Sequence, residues 1–133
     1  THFRGNPDHF IFSKGHNSKN LIFRIIRMID SYLNITGHQV STVSNKHVLK
    51  NVIGNRMLRP FTDVKFLNTL MLNLIKNEML YAAINNKNYH LWWHPHNFGI
   101  NKEDNLNNLS ELLKHYHDLN ERFGMCSASI SEM

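Results

Sequence analysis

Residues 63–83 and 104–123 each set apolar side chains at helical spacing, and between them lies a short aromatic run, Tyr89-His90-Leu91-Trp92-Trp93-His94, that Pro95 cuts off. The run is too short for a helix of its own and is made of residues that fit a pleated, half-buried surface. Proline has no N–H to give to a sheet ladder, so the strand is expected to stop at His94. Met125 to Ala128, just past Gly124, is expected to form a further strand. The order helix, strand, helix, strand predicts βα units, and therefore a parallel sheet or barrel, for this part of the chain.

The helices can be read from their stripes. Ser18 caps a first helix to about Leu33, with Leu21, Ile22, Ile25, Ile26, Ile29 and Leu33 on one face. Thr62 or Asp63 caps a second, which buries Val64, Leu67, Leu70, Met71, Leu74, Ile75, Met79 and Ala82 until Asn85, Asn86 and Asn88 break it. The third starts near Asp104, carries Leu106, Leu109, Leu112, Leu113, Tyr116, Leu119 and Phe123, and ends at Gly124. Before the first helix, Gly5, Asn6, Pro7, Gly15 and Asn17 mark loops around Phe10-Ile11-Phe12, a short strand candidate. Val40 to Val43 and Val48 to Ile53 have strand composition, with Gly54-Asn55 as a break.

Composition narrows the class. The chain has 133 residues, 41% of them hydrophobic and 19% charged, which is enough for one core and excludes a disordered chain. No apolar run is long enough for a membrane span. A net charge of +5 is spread along the chain, a weak signal for nucleic acid. One cysteine, Cys126, excludes an internal disulfide and reads as a buried strand residue.

The end of the aromatic strand is the strongest place for chemistry, because catalytic groups in α/β folds sit where a strand gives way to its loop. His94 stands there, on the same strand face as His90 and Trp92 and opposite Leu91 and Trp93. An imidazole at that point can act as acid or base, and the indoles offer flat surface for a sugar ring or a base. The same spacing fits a hydrogen-bonded core histidine equally well. A metal held by His94 and His96 is the weaker option, with no third ligand evident. His115 and His117 read as solvated, and Arg56, Arg59, Lys46 and Lys50 as a solvated basic surface.

Leu91-Trp92-Trp93-His94 fits the L-x-x-H motif near the C-terminal end of the polysaccharide deacetylase family. The longer string LWWHPHNFG, the helix after it, and Met125 to Met133 resemble a bacterial branch of that family. Phe3-Arg4-Gly5-Asn6 resembles the branch's form of the R-x-P-aromatic motif, with Asn6 where proline is usual. The resemblance covers nearly all of residues 1–133. It implies the C-terminal half of an irregular (β/α) barrel, part of a catalytic domain that removes acetyl groups from N-acetylated sugars with a zinc-like divalent metal. It also implies His94 as the acid that protonates the departing amine, Leu91 in the pocket for the acetyl methyl, Arg4 in the groove wall where it orients the base, and Trp92 against the substrate.

In the family the Thr-Phe-Asp-Asp string and the H-x-x-x-H pair that supply the base and the metal ligands lie further toward the N-terminus, so the resemblance puts them outside this chain; the missing D-x-x-D-W motif, like Asn6, departs from the family's pattern. The start at Thr1, and a capping-box pair at Ser129 and Glu132 just before the last residue, suggest a segment of something longer, inactive alone and prone to associate. The expected partner is an N-acetylated oligo- or polysaccharide, with no nucleic acid and no membrane span; the compartment, cytoplasm or cell envelope, stays open. The alternative is a non-catalytic module for carbohydrate or a protein partner, with Trp92 and Trp93 as platforms on one surface.

Overall fold

A computed structural model describes residues 21–33, 37, 38, 40 and 54–128. Along these run helix α1 (Leu21–Asp30), strand β1 (Arg56–Met57), helix α2 (Lys65–Ile84), strand β2 (Leu91–Trp92), a 3-10 helix (Pro95–Phe98) and helix α3 (Lys102–Phe123). The described part is mostly helical, with one two-stranded parallel sheet. Arg4, Phe10 to Phe12, Ser41 to Val43, Val48 to Ile53 and the Ser129–Glu132 pair lie outside the described residues.

The parallel pair aligns Arg56 with Leu91 and Met57 with Trp92, and α2 makes the connection that two parallel strands require. Gly54-Asn55, expected as a break, instead leads into β1. The reason is the Asn55 side chain: its Oδ1 accepts the His90 N–H at 2.8 Å while the Asn55 backbone N–H donates to the His90 carbonyl at 3.0 Å. An asparagine amide thus prolongs the ladder by one rung. Leu58 N–H donates to the Trp92 carbonyl at 2.9 Å and carries the pairing past β1.

The core lies between the sheet and α2 and α3. Leu58, Met71, Leu72, Ile75, Met79, Leu112 and Leu119 are buried together, with Tyr89, Leu91, Leu109 and Tyr116 packed on them. In α2 the buried side chains follow 71, 72, 74, 75, 78, 79 and 82, the spacing of one broad helical stripe. The observed stripe is displaced from the expected one, leaving Val64 53% exposed and taking in Leu72 and Glu78. Removing each of the apolar members from water contributes about 1.5–3 kcal/mol.

Neither expected cap on α2 forms at its N-cap residue, which is Val64. Asn68 reaches back instead: its Oδ1 accepts the Thr62 N–H at 3.1 Å, while Thr62 Oγ1 accepts the Val64 N–H. At the far end Asn86, at φ 50°, takes the left-handed position, and the Lys87 N–H closes onto the Ala82 carbonyl at 2.9 Å. Helix α3 ends as expected at Gly124, whose φ of 68° suits a residue without a Cβ. Met125 to Ala128 carry no strand pairing, and Cys126 is exposed, its Sγ against the Gly124 carbonyl.

Helix α1 departs most from its stripe. Leu21, Ile22 and Leu33 are 65%, 61% and 48% exposed, whereas Asp30 is 1% exposed. Asp30 is drawn in by Arg56, expected at the surface but 5% exposed. The guanidinium hydrogen-bonds the Asp30 carbonyl at 2.8 Å, the Asp30 carboxylate at 3.3 Å, and Glu78 through both Nε and Nη2. Burial opposes the charge on Arg56, but the bond to Glu78 and the charges of Glu78 and Asp30 outweigh it and hold the guanidinium above its ordinary value. Tyr89 completes the group, its hydroxyl donating to Glu78 at 2.9 Å.

Replacing Arg56 removes the cation that the buried Asp30 and Glu78 carboxylates share among the described residues. The expected cost of Arg56→Met is about 3–5 kcal/mol in urea unfolding, against a small effect if Arg56 were solvated. Tyr89 supplies a pH signature. Burial, then the charge and hydrogen bond of Glu78, push its phenol well above the usual range. A pKa raised in the folded state gives stability that is complete below the unfolded value, about 10, and is lost as pH rises through the folded one. Melts taken from pH 9 upward are expected to fall more steeply for the natural protein than for Tyr89→Phe, and parallel curves count against the Tyr89–Glu78 bond.

Candidate functional site

The C-terminal edge of the β1–β2 pair is built by two prolines at one register. With Arg56 opposite Leu91, Pro60 and Pro95 each lie four residues on. Pro60 has no N–H to donate, so the ladder cannot go on to the His94 carbonyl. That carbonyl accepts the Asn97 N–H at 2.9 Å instead and opens the 3-10 helix. A residue before proline is held out of the helical region, and His94 is extended, at φ −95° and ψ 128°.

His94 is therefore presented two residues beyond β2, exposed, with its ring between two aromatic neighbours. Trp92 meets it edge-on, centroids 5.3 Å apart at 83°, and His96 stacks on it at 5.1 Å and 19°. Trp92 is half-buried, on the same face as His94 by strand alternation. Leu91 is on the other face, packed against the helical core. Residues three apart on an extended segment point to opposite sides, so Leu91 and His94 face apart. Arg4 lies outside the described residues, and its place relative to His94 is not part of this geometry.

The two indoles also part. Trp92 leans on His94, while Trp93 packs against Phe98 at 5.9 Å. Trp93 and Leu91 border an open groove of about 670 Å³ with Tyr116, Leu113 and Met125, a groove that excludes Trp92 and His94. A single platform made of both indoles does not form. His90 and His94 have the H-x-x-x-H spacing, but four residues of extended chain put them roughly 13 Å apart, too far for one ion. Among the described residues no group of three or more His, Cys, Asp or Glu converges as a metal site.

Residues that the sequence reading passed over hold this edge together. Asn105, buried at the start of α3, accepts the Phe61 N–H on Oδ1 at 2.6 Å and donates to the Ile100 and Asn101 carbonyls at 2.8 and 3.0 Å. It ties the loop after β1 to the loop after β2. Arg59, the residue before Pro60, lays its guanidinium over the Tyr32 ring at 5.8 Å, and its buried Nε has no hydrogen-bond partner among the described residues. His115, expected in solvent, sets Nε2 3.1 Å from the Lys76 carbonyl and faces α2, beside the Lys76–Glu111 ion pair; His117 stays exposed near Glu121. The matched Arg-Pro and His-Pro steps were visible as text, but their alignment was not.

Comparison with family models, with curated proteins and with solved structures finds no match. No helix among the described residues is long and apolar enough to cross a membrane.

Asn105→Ala removes the acceptor of the Phe61 N–H and the side-chain donor to the Ile100 carbonyl, while the Asn101 carbonyl keeps the Asn105 backbone N–H. The expected loss is about 1–3 kcal/mol of stability, with larger chemical-shift changes at Phe61 and Asn101 than at α2 by NMR. An unchanged Phe61 amide signal overturns the link.

Proposed function

We propose that the chain is the C-terminal part of a carbohydrate N-deacetylase with the (β/α) barrel of the polysaccharide deacetylases, acting on N-acetylated sugars of a polysaccharide or its precursor. The observation that carries this reading is His94 itself: an exposed imidazole just past a strand of a parallel β–α–β unit, on the edge where such folds do their chemistry. The LWWHPHNFG string supports it from the sequence side.

In this reading the chain's own contribution is a proton. Once water has added to the amide carbon, the His94 imidazolium gives it to the nitrogen as the carbon–nitrogen bond breaks, so that the amine leaves neutral and the acetyl group, with the oxygen from water, leaves as acetate. Trp92 and His96 hold the ring by its edge and its face, which limits its rotation. Trp92 also offers apolar surface to the sugar. Arg4 contributes to the groove wall and to the charge beside the base. The divalent metal and the base belong to residues outside this chain.

The test is acetate release from N-acetylated oligosaccharides by the protein carrying this chain together with its upstream coding sequence. His94→Gln is expected to lower kcat by about 10²–10⁴ with its fold intact by circular dichroism. Unchanged turnover in that variant overturns the assignment. Turnover by residues 1–133 alone overturns the division of labour between the two parts.

A further inference from the structure

Among the described residues the sheet has an open edge, because β2 pairs with β1 alone. The His90 carbonyl accepts from Asn55 and Arg56, and the Trp92 carbonyl accepts from Leu58, so both carbonyls point at β1. In a trans peptide the carbonyl and the following N–H point in opposite directions. The Leu91 and Trp93 N–H groups therefore point away from β1, and strand alternation sets the Leu91 carbonyl between them on the same edge. No hydrogen bond reaches these groups among the described residues.

Leu91 and Trp93 also line the groove of about 670 Å³, and α3 supplies much of its apolar wall through Leu113, Tyr116 and Phe123. Leu112 and Leu119 of α3 are buried in the core, whereas Leu113 is 57% exposed and Trp93 38%. In an α/β layer a crossover helix covers the strands on both sides of it, and here α3 has β2 without a next strand. Met125 to Ala128 line the same groove but do not pair with β2. Asn120 fastens them to the last turn of α3, its Nδ2 donating to the Met125 carbonyl at 2.8 Å.

We propose that this groove takes up an extended segment of another protein, which adds to the free edge of β2 as a third strand. An N–H, a carbonyl and a second N–H in a row at strand spacing are matched by an extended backbone, whereas a small apolar molecule leaves them unserved. Among the described residues a second copy offers only two-residue strands set against their own helices, so the segment comes from a different chain. Its alternate side chains meet Leu113 and Tyr116 and are apolar; those between them face away and are polar. The inference is independent of any role for His94.

The probe is a synthetic peptide of alternating valine and threonine with a lysine at each end. It is titrated into the 133-residue chain while amide hydrogen exchange is followed by NMR. In the dilute free chain the Leu91 and Trp93 amides are expected to exchange freely, and saturating peptide is expected to slow both at least tenfold. The same peptide N-methylated at every amide is expected to bind at least tenfold more weakly. Leu113→Glu is expected to weaken binding of the unmodified peptide at least tenfold with its helix content unchanged by circular dichroism. Phe66→Ser, at an exposed position of α2 outside the groove, is expected to bind like the natural chain. Equal binding of the N-methylated peptide makes the groove a general apolar site and overturns the strand addition. Protection of both amides in the dilute free chain assigns the edge to this chain's own residues, and protection that grows with chain concentration alone assigns it to a second copy; either overturns the proposal. Peptide binding that leaves both amides unprotected, or a Leu113→Glu variant that binds as well as the natural chain, overturns it too.

Discussion

The described fold turns on one buried cation. Arg56 stands at the start of β1 and reaches α1 through Asp30 and α2 through Glu78, so a single guanidinium sets the positions of three elements. Two carboxylates around one arginine would repel each other without it, and Tyr89 adds a donor to Glu78 from the segment that leads into β2. Such a cluster adds little net stability over an apolar core, but it tolerates only one arrangement, because each lone pair and each N–H must find its partner. With Arg56 pinned, β1 has no freedom to slide against β2.

Asparagines do the backbone's work where the sheet and helices end. Asn55 adds a rung before β1, Asn68 folds back over the entrance to α2, Asn86 makes the left-handed turn at its exit, and Asn105 ties the two loops at the strand ends. Asparagine recurs along the whole chain. Its short amide both donates and accepts, and it tolerates positive φ, so it serves sites where a regular ladder has stopped.

The functional reading gathers on the face that the core does not use. Leu91 and Leu58 hold the strands to the helices, and alternation then turns Trp92 and His94 to the other side. The apolar groove beside Trp93 belongs to the helical face, so the chain keeps an oily surface and a polar edge on opposite sides of two short strands.

The amino-acid sequence by itself determined which of the described stretches are helices and that the aromatic run holds a strand, because these follow from spacing and side-chain type; the strand's extent, Leu91–Trp92, was decided by its neighbour, where Pro60 has no N–H for the His94 carbonyl. The LWWHPHNFG string singled out His94 in the same way. Burial of Arg56, Asp30 and Glu78 was decided only by the tertiary structure. A charged residue reads as solvated until its partners, 26 positions upstream and 22 downstream, are brought around it.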